Sequence, residues 1–255
     1  DAGKLTLNSA SITSAGALTL AGATGIDFGS GVTFAAGGTL SMTTTSGGII
    51  GAGAFTLTST GDISLTEDFT TAGATVITAD SDGNGAGDFS ISASKIVSTE
   101  NNSLALTAND ATLSGLISSG TGSTTIVVSD GGTIGLGGTA GNMTIDASEL
   151  EKITAGTLNI GNSSTGNMTV DGISAANSNN VGTVNLTIAS ASSVSFANNN
   201  STFNTLAVNG GGTSFDSGLT VTTDSGKLTL NSTSITGVGA LTLAGATGID
   251  FGSGV

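Results

Sequence analysis

The end of this sequence repeats its beginning. Residues 224–255, DSGKLTLNSTSITGVGALTLAGATGIDFGSGV, match residues 1–32 at an offset of 223 positions, and the two copies differ at four places. The differing pairs are Ala2/Ser225, Ala10/Thr233, Ser14/Gly237 and Ala15/Val238. Self-similarity at a fixed period is the signature of a repeat architecture. We therefore predict that residues 1–223 are one complete tandem repeat and that residues 224–255 start the next repeat of a longer array.

Apolar and polar residues alternate in short triplets from one end of the chain to the other. Period-2 alternation turns one side chain inward and the next outward, as in a half-buried β-strand. Clusters of Gly and Asn, such as Asn198–Asn200, separate the triplets and suit tight corners. Only Ser148–Ile153 has a pattern that could form a helical turn. The triplets include Leu5–Leu7, Leu18–Leu20, Ile26–Phe28, Leu40–Met42, Phe55–Leu57, Met143–Ile145, Leu158–Ile160 and Met168–Val170.

Short strands, small corners and a long repeat together predict an all-β chain folded as a parallel β-helix, or β-solenoid. We expect about 10–12 coils of roughly 20–22 residues that stack at about 4.8 Å around a shared apolar interior. The handedness rule for parallel crossovers predicts a right-handed helix. A β-sandwich or an antiparallel barrel is the alternative fold. Disorder is disfavoured because the apolar residues stay in phase and the mean hydropathy is positive, at +0.31.

The composition removes several classes of function. The chain has no Cys, which excludes disulfides, thiolate metal sites and thiol redox chemistry. It carries 18 carboxylates against four lysines, a net charge of −14, and no Arg. A chain without a basic patch is a poor partner for nucleic acid or for an anionic membrane surface. No apolar run approaches the roughly 18 residues that a membrane helix needs, so we expect no membrane insertion.

The sequence pattern of the terminal repeat, LTL followed by GALTLAGATGIDFGSGV, resembles that of filamentous-haemagglutinin-like proteins. The central run GNMTIDASELEKITAGTLNIGNSSTGNMTVDGIS, residues 141–174, is similar to modules of giant bacterial surface proteins of the same kind. This resemblance covers essentially the whole chain. It implies a right-handed β-helical shaft, export from a bacterium and display at the cell surface or outside the cell. It implies no particular receptor, because the secretion domain and the cell-binding tips of the family have no matching positions here.

Residues that could carry catalysis are sparse. Without His or Cys, a nucleophilic serine lacks its usual base, and the adjacent Ser94 and Lys95 face opposite ways on a strand. Asp27 and Asp250 are copies of one position and not a catalytic pair. The carboxylates of Glu149 and Glu151 could share a face, but with Lys152 they fit a solvated corner better. We expect that the chain is not an enzyme, and a polysaccharide-cleaving β-helix is the third hypothesis.

One loop has the spacing of a calcium-binding loop. Asp80, Asp82 and Asn84 occupy positions 1, 3 and 5, Gly85 follows at position 6, and Asp88 stands at position 9. Hard oxygen ligands that converge through a sharp Gly turn are what Ca²⁺ prefers. Ile91 replaces the bidentate Glu of position 12, and an acidic turn between strands is the alternative. We therefore predict a structural calcium ligand set of Asp80, Asp82, Asn84 and Asp88, with no cofactor required.

Asn and Thr side chains could form ladders between coils. Asn142, Asn167 and Asn185 lie beside or inside triplets, and stacked polar pairs stabilise neighbouring strands by roughly 0.2–1 kcal/mol each. Flat Thr arrays could bind glycans or ice. The pairs Thr43/Thr45, Thr56/Thr58 and Thr220/Thr222 have the spacing, but we expect irregular coil lengths to break any long register.

These observations favour a structural role. The leading hypothesis is a non-catalytic segment of an extracellular filament or cell-surface shaft, whose partners are further copies of the same repeat. An adhesin whose shaft face contacts glycans or other fibres is the alternative, and lateral self-association of the fibres is compatible with either.

Overall fold

The computed structural model describes residues 3–8 and 10–252, and within them the chain is a β-solenoid of about 11 turns. These residues form 29 short strands and two four-residue helices. Every strand pairing whose register is defined is parallel. The predicted all-β solenoid is therefore confirmed, and the sandwich and antiparallel barrel are excluded. Contacts divide the chain into two compact units, residues 1–124 and 125–255, which are described in turn.

The first unit is built almost entirely of strands of three to five residues. They are β1 (Leu5–Leu7), β2 (Ser11–Ser14), β3 (Leu18–Gly22), β4 (Ile26–Phe28), β5 (Val32–Ala36), β6 (Leu40–Thr44), β7 (Ile49–Gly51), β8 (Phe55–Ser59), β9 (Ile63–Leu65), β10 (Phe69–Thr71), β11 (Thr75–Thr78), β12 (Phe89–Ile91), β13 (Ile96–Ser98), β14 (Leu104–Ala108), β15 (Ala111–Leu113) and β16 (Leu116–Ser118).

Three parallel sheets form the sides of the first unit. The first stacks β1, β4, β7, β10, β13 and β16. The second stacks β2, β5, β8, β11 and β14, and the third stacks β3, β6, β9, β12 and β15. Each turn therefore contributes one strand to each sheet. Neighbouring strands are one whole turn apart in sequence, as in Leu5 opposite Ile26.

The second unit has longer strands and the two helices. Its elements are β17 (Ser123–Val128), which begins just before the boundary, β18 (Ile134–Gly137), β19 (Met143–Ile145), α1 (Ala147–Leu150), β20 (Ile153–Ile160), β21 (Met168–Asp171), α2 (Ala175–Ser178), β22 (Val181–Thr187), β23 (Ser193–Phe196), β24 (Ser201–Phe203), β25 (Leu206–Phe215), β26 (Leu219–Thr223), β27 (Leu228–Gly237), β28 (Leu241–Gly245) and β29 (Ile249–Phe251).

The stacking of the second unit follows the same rule except at β18, which also pairs with β19 only nine residues further along the chain. One row runs through β20, β22, β25, β27 and β29, another through β18, β21, β23, β25 and β27, and a third through β24, β26 and β28. The long strands β25 and β27 belong to two rows because they continue through a corner. Helix α1 contacts α2, and α2 contacts β24, so the helices extend the third row.

The helices are the main departure from the sequence-based expectation. The possible helical turn at Ser148–Ile153 is real but starts one residue earlier, at Ala147, because Asp146 and Glu149 form a capping box. The second helix was not predicted. It begins after Ser174, whose backbone N–H and hydroxyl both donate to Asn177 Oδ1 at 2.7 Å. A local polar motif of this kind carries no apolar stripe, and so hydrophobic periodicity does not reveal it.

The interior of the first unit is a row of stacked apolar side chains. Four phenylalanines, Phe28, Phe34, Phe55 and Phe69, lie with neighbouring ring centroids between 4.8 and 5.4 Å apart. Each ring is at most 3% exposed. Contact at these distances adds to the free energy of burial. Aromatic packing therefore joins successive turns through the middle of the unit.

The interior of the second unit is also apolar, but it contains fewer aromatic contacts than that of the first. Phe196 and Phe215 stack at 5.1 Å with nearly parallel planes, and Leu, Ile, Val and Met fill the remaining interior. Eight of the nine phenylalanines of the chain are buried, in line with the predicted inward phase. The exception is Phe251, which is 52% exposed.

The Phe55→Ala substitution tests the aromatic row. Phe55 contacts the other three rings of the row, and its removal leaves a cavity at the centre of the unit. We expect the free energy of unfolding to fall by about 3–5 kcal/mol. The outward-facing neighbour provides the control, since Thr56→Ala should change it by no more than about 0.5 kcal/mol. Urea denaturation measures both, and equal effects would contradict the inward placement of Phe55.

Candidate functional site

The acidic loop between β11 and β12 holds the four residues predicted to bind calcium. Asp80 is 1% exposed, and its carboxylate accepts hydrogen bonds from the backbone N–H groups of Asn84 and Gly85, both at 3.0 Å. Asn84 Nδ2 donates to Asp82 Oδ2 at 2.9 Å. The sharp turn that the sequence implied is present, and Asp80 organises it from the inside.

Asp88 faces a different partner. Its Oδ1 accepts from Asn109 Nδ2 at 2.9 Å and from the backbone N–H of Asp110 at 3.1 Å, both in the following turn. The structure thus brings Asp82 and Asn84 together, places Asp80 under the loop and directs Asp88 away along the stack. Across residues 3–8 and 10–252, no three Asp, Glu, His or Cys side chains are grouped as metal ligands. Calcium binding at Asp80, Asp82, Asn84 and Asp88 stays a prediction.

Ion pairs between neighbouring turns account for three of the lysines. Lys95 Nζ lies 2.8 Å from Glu67 Oε2, and this hydrogen bond raises the pKa of Lys95, with burial opposing it and the charges of Glu67 and Asp68 adding to it. Ser94 has a positive φ of 64° at the corner before β13. The Ser94–Lys95 pair is therefore part of a corner in which the lysine binds a carboxylate of the preceding turn.

The same ion pair occurs in both copies of the terminal repeat. Lys4 Nζ lies 2.9 Å from Asp27 Oδ2, and Lys227 Nζ lies 3.4 Å from Asp250 Oδ2. Each pair joins the residue before one strand to the middle of the strand stacked on it. The alternation predicted that Asp27 and Asp250 point outward. At that position each carboxylate lies within reach of a lysine of the preceding turn.

The carboxylates around α1 serve the helix and the stack. Asp146 Oδ1 accepts from the backbone N–H of Glu149 at 2.8 Å, and Glu149 Oε2 accepts from the backbone N–H of Asp146 at 3.0 Å. Glu151 Oε1 accepts from Asn177 Nδ2 of the next turn at 2.7 Å. Glu149 and Glu151 thus have separate structural partners.

Electrostatics at the start of α1 favour an ionised carboxylate. Burial by itself raises the pKa of Asp146. Hydrogen bonds from the Ser148 hydroxyl and from the backbone N–H groups of Glu149 and Ser148, with the charge of Lys152, outweigh it. The pKa of Asp146 is therefore held below its ordinary value.

A shallow cleft of the second unit lies beside this helix and is lined by polar residues. Asp146, Ser148, Asp171 and Asn199 are among them, together with several glycines. Asp171 is 5% exposed, and its Oδ1 accepts from the backbone N–H and the side-chain amide of Asn199 at 3.1 and 2.8 Å. Asn198 Nδ2 donates to Asp171 Oδ2 at 3.1 Å. Asp171 therefore holds the Asn198–Asn200 corner of a neighbouring turn.

Asparagine ladders are present, although not all at the predicted positions. Asn185 Nδ2 donates to Asn159 Oδ1 at 2.9 Å, and Asn159 Nδ2 donates to Thr125 Oγ1 at 3.2 Å. A second pair joins Asn231 Nδ2 to Asn209 Oδ1 at 2.9 Å. Of the three asparagines singled out from the sequence, only Asn185 belongs to such a ladder.

Asn142 and Asn167 have another function in the stack. Asn142 Oδ1 accepts from the backbone N–H of Thr133 at 2.9 Å, and Asn167 Oδ1 accepts from the backbone N–H of Ser193 at 3.0 Å. Asp62 Oδ1 likewise accepts a hydrogen bond from the backbone N–H of Asp88 at 2.9 Å. A side-chain oxygen at a corner thus accepts a hydrogen bond from the backbone at or just before the start of the adjacent strand.

Sequence reasoning missed this corner arrangement, but a signal for it exists. Asp62, Asp88 and Asp110 each stand directly before an apolar–polar–apolar triplet, and those triplets, β9, β12 and β15, pair with one another. A carboxylate or amide just ahead of each triplet therefore marks a bond between turns. The loop position that resembled the ninth ligand of a calcium site belongs to this series.

Outward hydroxyl groups form a long row in register, contrary to the expectation that irregular coil lengths would break it. Successive pairings place five hydroxyls opposite one another along the third sheet of the first unit: Thr19, Ser41, Ser64, Ser90 and Thr112. Ser64 Oγ and Ser90 Oγ lie 2.9 Å apart. The register survives because the extra residues sit in corners, such as residues 79–88, and leave the strands aligned.

No family model, curated protein or solved structure matches this chain. Among the described residues, no helix is long and apolar enough to span a membrane. The parallel β-solenoid is thus established by the structure alone.

The Asp80→Ala substitution tests what the acidic loop does. It leaves two backbone N–H groups without their acceptor, so we expect the free energy of unfolding to fall by about 2–4 kcal/mol. Asp82→Ala, at an exposed neighbour in the same loop, should change it by no more than about 0.5 kcal/mol in the presence of EGTA. Thermal melts in EGTA and in calcium measure both variants. A calcium-dependent stabilisation of the unchanged chain that Asp82→Ala abolishes would establish the calcium site.

The start of α1 supplies a pH-dependent prediction. A carboxyl whose pKa is lowered by folding stabilises the folded state above its unfolded pKa of about 3.9, and this stabilisation is lost as the pH falls through the folded value. Asp146→Ala should therefore lower the free energy of unfolding by about 1 kcal/mol near neutral pH and by less in acid.

Asp146→Asn is the matched control, since asparagine caps a helix in either pH range. Urea denaturation at neutral pH and below about pH 3 provides the comparison. A loss for Asp146→Ala that is the same at both pH values would contradict a role for the ionised carboxylate.

Proposed function

We propose that this chain is a structural, non-catalytic segment of an extracellular filament or cell-surface shaft built from tandem β-solenoidal repeats. The observation that carries the proposal is that two copies of one sequence, 223 residues apart, form the same turn. Leu5 lies opposite Ile26 in the first copy, and Leu228 lies opposite Ile249 in the second. A turn that forms in the same way at both places is the element from which a periodic array is built.

The agreement between the copies extends to individual hydrogen bonds. The backbone N–H of Leu5 donates to Gly25 O at 3.0 Å, and that of Leu228 donates to Gly248 O at 3.1 Å. The Lys–Asp ion pair is repeated as well. In the second copy these contacts follow directly on β25 and β26, so the start of a repeat continues the parallel stack that precedes it.

The side chains outside the core suit a shaft exposed to solvent. The outward positions carry mainly Thr, Ser and Asn, and the net charge of −14 keeps like surfaces apart. The resemblance to filamentous-haemagglutinin-like proteins supports export and surface display. Several polar groups at the corners, including Asp62, Asp88 and Asn167, bind neighbouring turns, as expected in a rod that resists unwinding.

An adhesin whose shaft face contacts glycans or other fibres is the second candidate. The row of five hydroxyls on the third sheet of the first unit favours it, because a periodic line of donors and acceptors can meet another periodic surface. Pull-down with insoluble polysaccharides, compared between the unchanged chain and a variant carrying Ser41→Ala and Ser64→Ala, distinguishes such an adhesin from a passive shaft.

Electron cryo-microscopy of the native assembly tests the leading proposal. About ten turns in each 223-residue period, stacked at the strand spacing, predict an axial repeat near 48 Å. Antibody labelling of intact cells tests surface display in the same preparation. Discrete particles without an axial repeat, or labelling that requires cell lysis, would contradict the filament.

A further inference from the structure

The two copies of the terminal repeat show opposite sides of the same turn. In the first copy, β1, β2 and β3 are covered by the turn that follows them, β4 to β6. In the second copy, β27 and β28 are covered by the turn that precedes them, β25 and β26. The chain therefore contains, at two separate places, both contacts that this turn makes in an array.

Burial changes between the copies as this arrangement requires. Leu228 and Leu230 are fully buried, whereas Leu5 and Leu7, the same positions in the first copy, are half-buried. Conversely, Phe28 is 3% exposed in the first copy and Phe251 is 52% exposed in the second. Each copy thus leaves uncovered the side that is covered in the other.

The side of the first turn that faces away from β4 to β6 carries strand edges without a paired neighbour among the described residues. It consists of the open backbone edges of β1, β2 and β3 with the half-buried side chains of Leu5, Leu7, Ile12, Leu18 and Leu20, and we call it the first-turn face. Unpaired N–H and C=O groups at a sheet edge favour pairing with another strand. Apolar side chains between three such edges favour a whole turn over a single extended peptide.

We propose that the first-turn face binds the turn formed by residues 201–223 of another copy of the repeat. This inference rests on the proposed function. It specifies which residues of successive repeats lie opposite each other where one repeat meets the next. The second copy supplies that register directly, since Leu206 lies opposite Leu228, Val208 opposite Leu230 and Thr213 opposite Ile235. Along the other row, Leu219 lies opposite Leu241 and Val221 opposite Leu243.

The equivalent positions of the first-turn face follow from the 223-residue offset. Leu206 comes to lie opposite Leu5, Val208 opposite Leu7, Thr213 opposite Ile12, Leu219 opposite Leu18 and Val221 opposite Leu20. The spacing along the chain fits as well, since Leu206 to Leu219 and Leu5 to Leu18 both span 13 residues.

The substitutions between the copies leave this junction almost intact. None of the four differing positions is one of the five apolar residues of the first-turn face. The Asn209–Asn231 hydrogen bond can form again with Asn8, the equivalent of Asn231. One bond is lost, because the Thr233 hydroxyl donates to Gly211 O at 3.1 Å and Ala10 has no hydroxyl.

A fusion tests the proposal on the full chain. A second copy of residues 201–223 is placed ahead of residue 1, and backbone hydrogen exchange is followed by mass spectrometry in peptides from residues 4–22. We expect exchange in these peptides to slow by about tenfold or more, since edge strands become internal strands. Unchanged exchange, with the added segment itself unprotected, would overturn the proposal.

Two control fusions test whether residues 201–223 are the specific partner of the first-turn face. Leu206→Asp, Val208→Asp and Val221→Asp within the added copy remove its apolar contacts, and we expect exchange in residues 4–22 to return to the rate of the unfused chain. A fused turn of residues 49–71, in which Gly51 stands where Val208 would face Leu7, should protect less. Equal protection by either control fusion would overturn the assignment of residues 201–223 as the specific partner.

The fusion and the microscopy can fail separately. Protection of residues 4–22 without an axial repeat in the native assembly leaves the junction standing and contradicts the filament. A rod with the expected repeat but no protection in the fusion contradicts the register and leaves the filament standing.

Discussion

Hydrogen bonding between parallel strands of successive turns is the interaction on which the other features of this structure depend. In a solenoid each strand pairs with the strand one turn earlier and the strand one turn later, so register passes from turn to turn. A slip by one residue would exchange the inward and outward side chains of a whole strand. Because the interior is filled by Leu, Ile, Val, Met and Phe, such a slip is strongly disfavoured. Turns of unequal length therefore keep their strands aligned and place their extra residues in corners.

Corners are where the chain needs polar side chains, because backbone groups there cannot all reach a neighbouring strand. Asp62 and Asn167 accept backbone hydrogen bonds from an adjacent turn, and Asp80 accepts them from its own loop. Buried hydroxyl pairs, such as Thr71 with Thr75 at 2.6 Å, serve the same purpose inside the corners. The Asp and Asn content of the chain thus has a structural explanation that does not depend on a ligand.

The fold could be predicted from the sequence because alternation and repetition are both local signals. The triplets Leu5–Leu7, Ile26–Phe28 and Met143–Ile145 became strands with those bounds. Helix α2 and the row of hydroxyls in register were not predictable in the same way. The first depends on one polar capping motif, and the second depends on which residues are placed in corners once the strands align. The partner of each corner carboxylate was also hidden, since it lies a full turn away in sequence.

The differences between the two copies show which positions the stack constrains. Thr6, Leu7 and Phe28 have identical counterparts, and they lie within paired strands. Val238, where the first copy has Ala15, is 71% exposed at a corner, and Gly237, where the first copy has Ser14, ends β27. A corner side chain that points to solvent can change size without moving a strand, whereas an inward residue cannot. Variation between repeats should therefore collect at corners and outward positions, and the apolar residues that join one turn to the next should stay the same along the array.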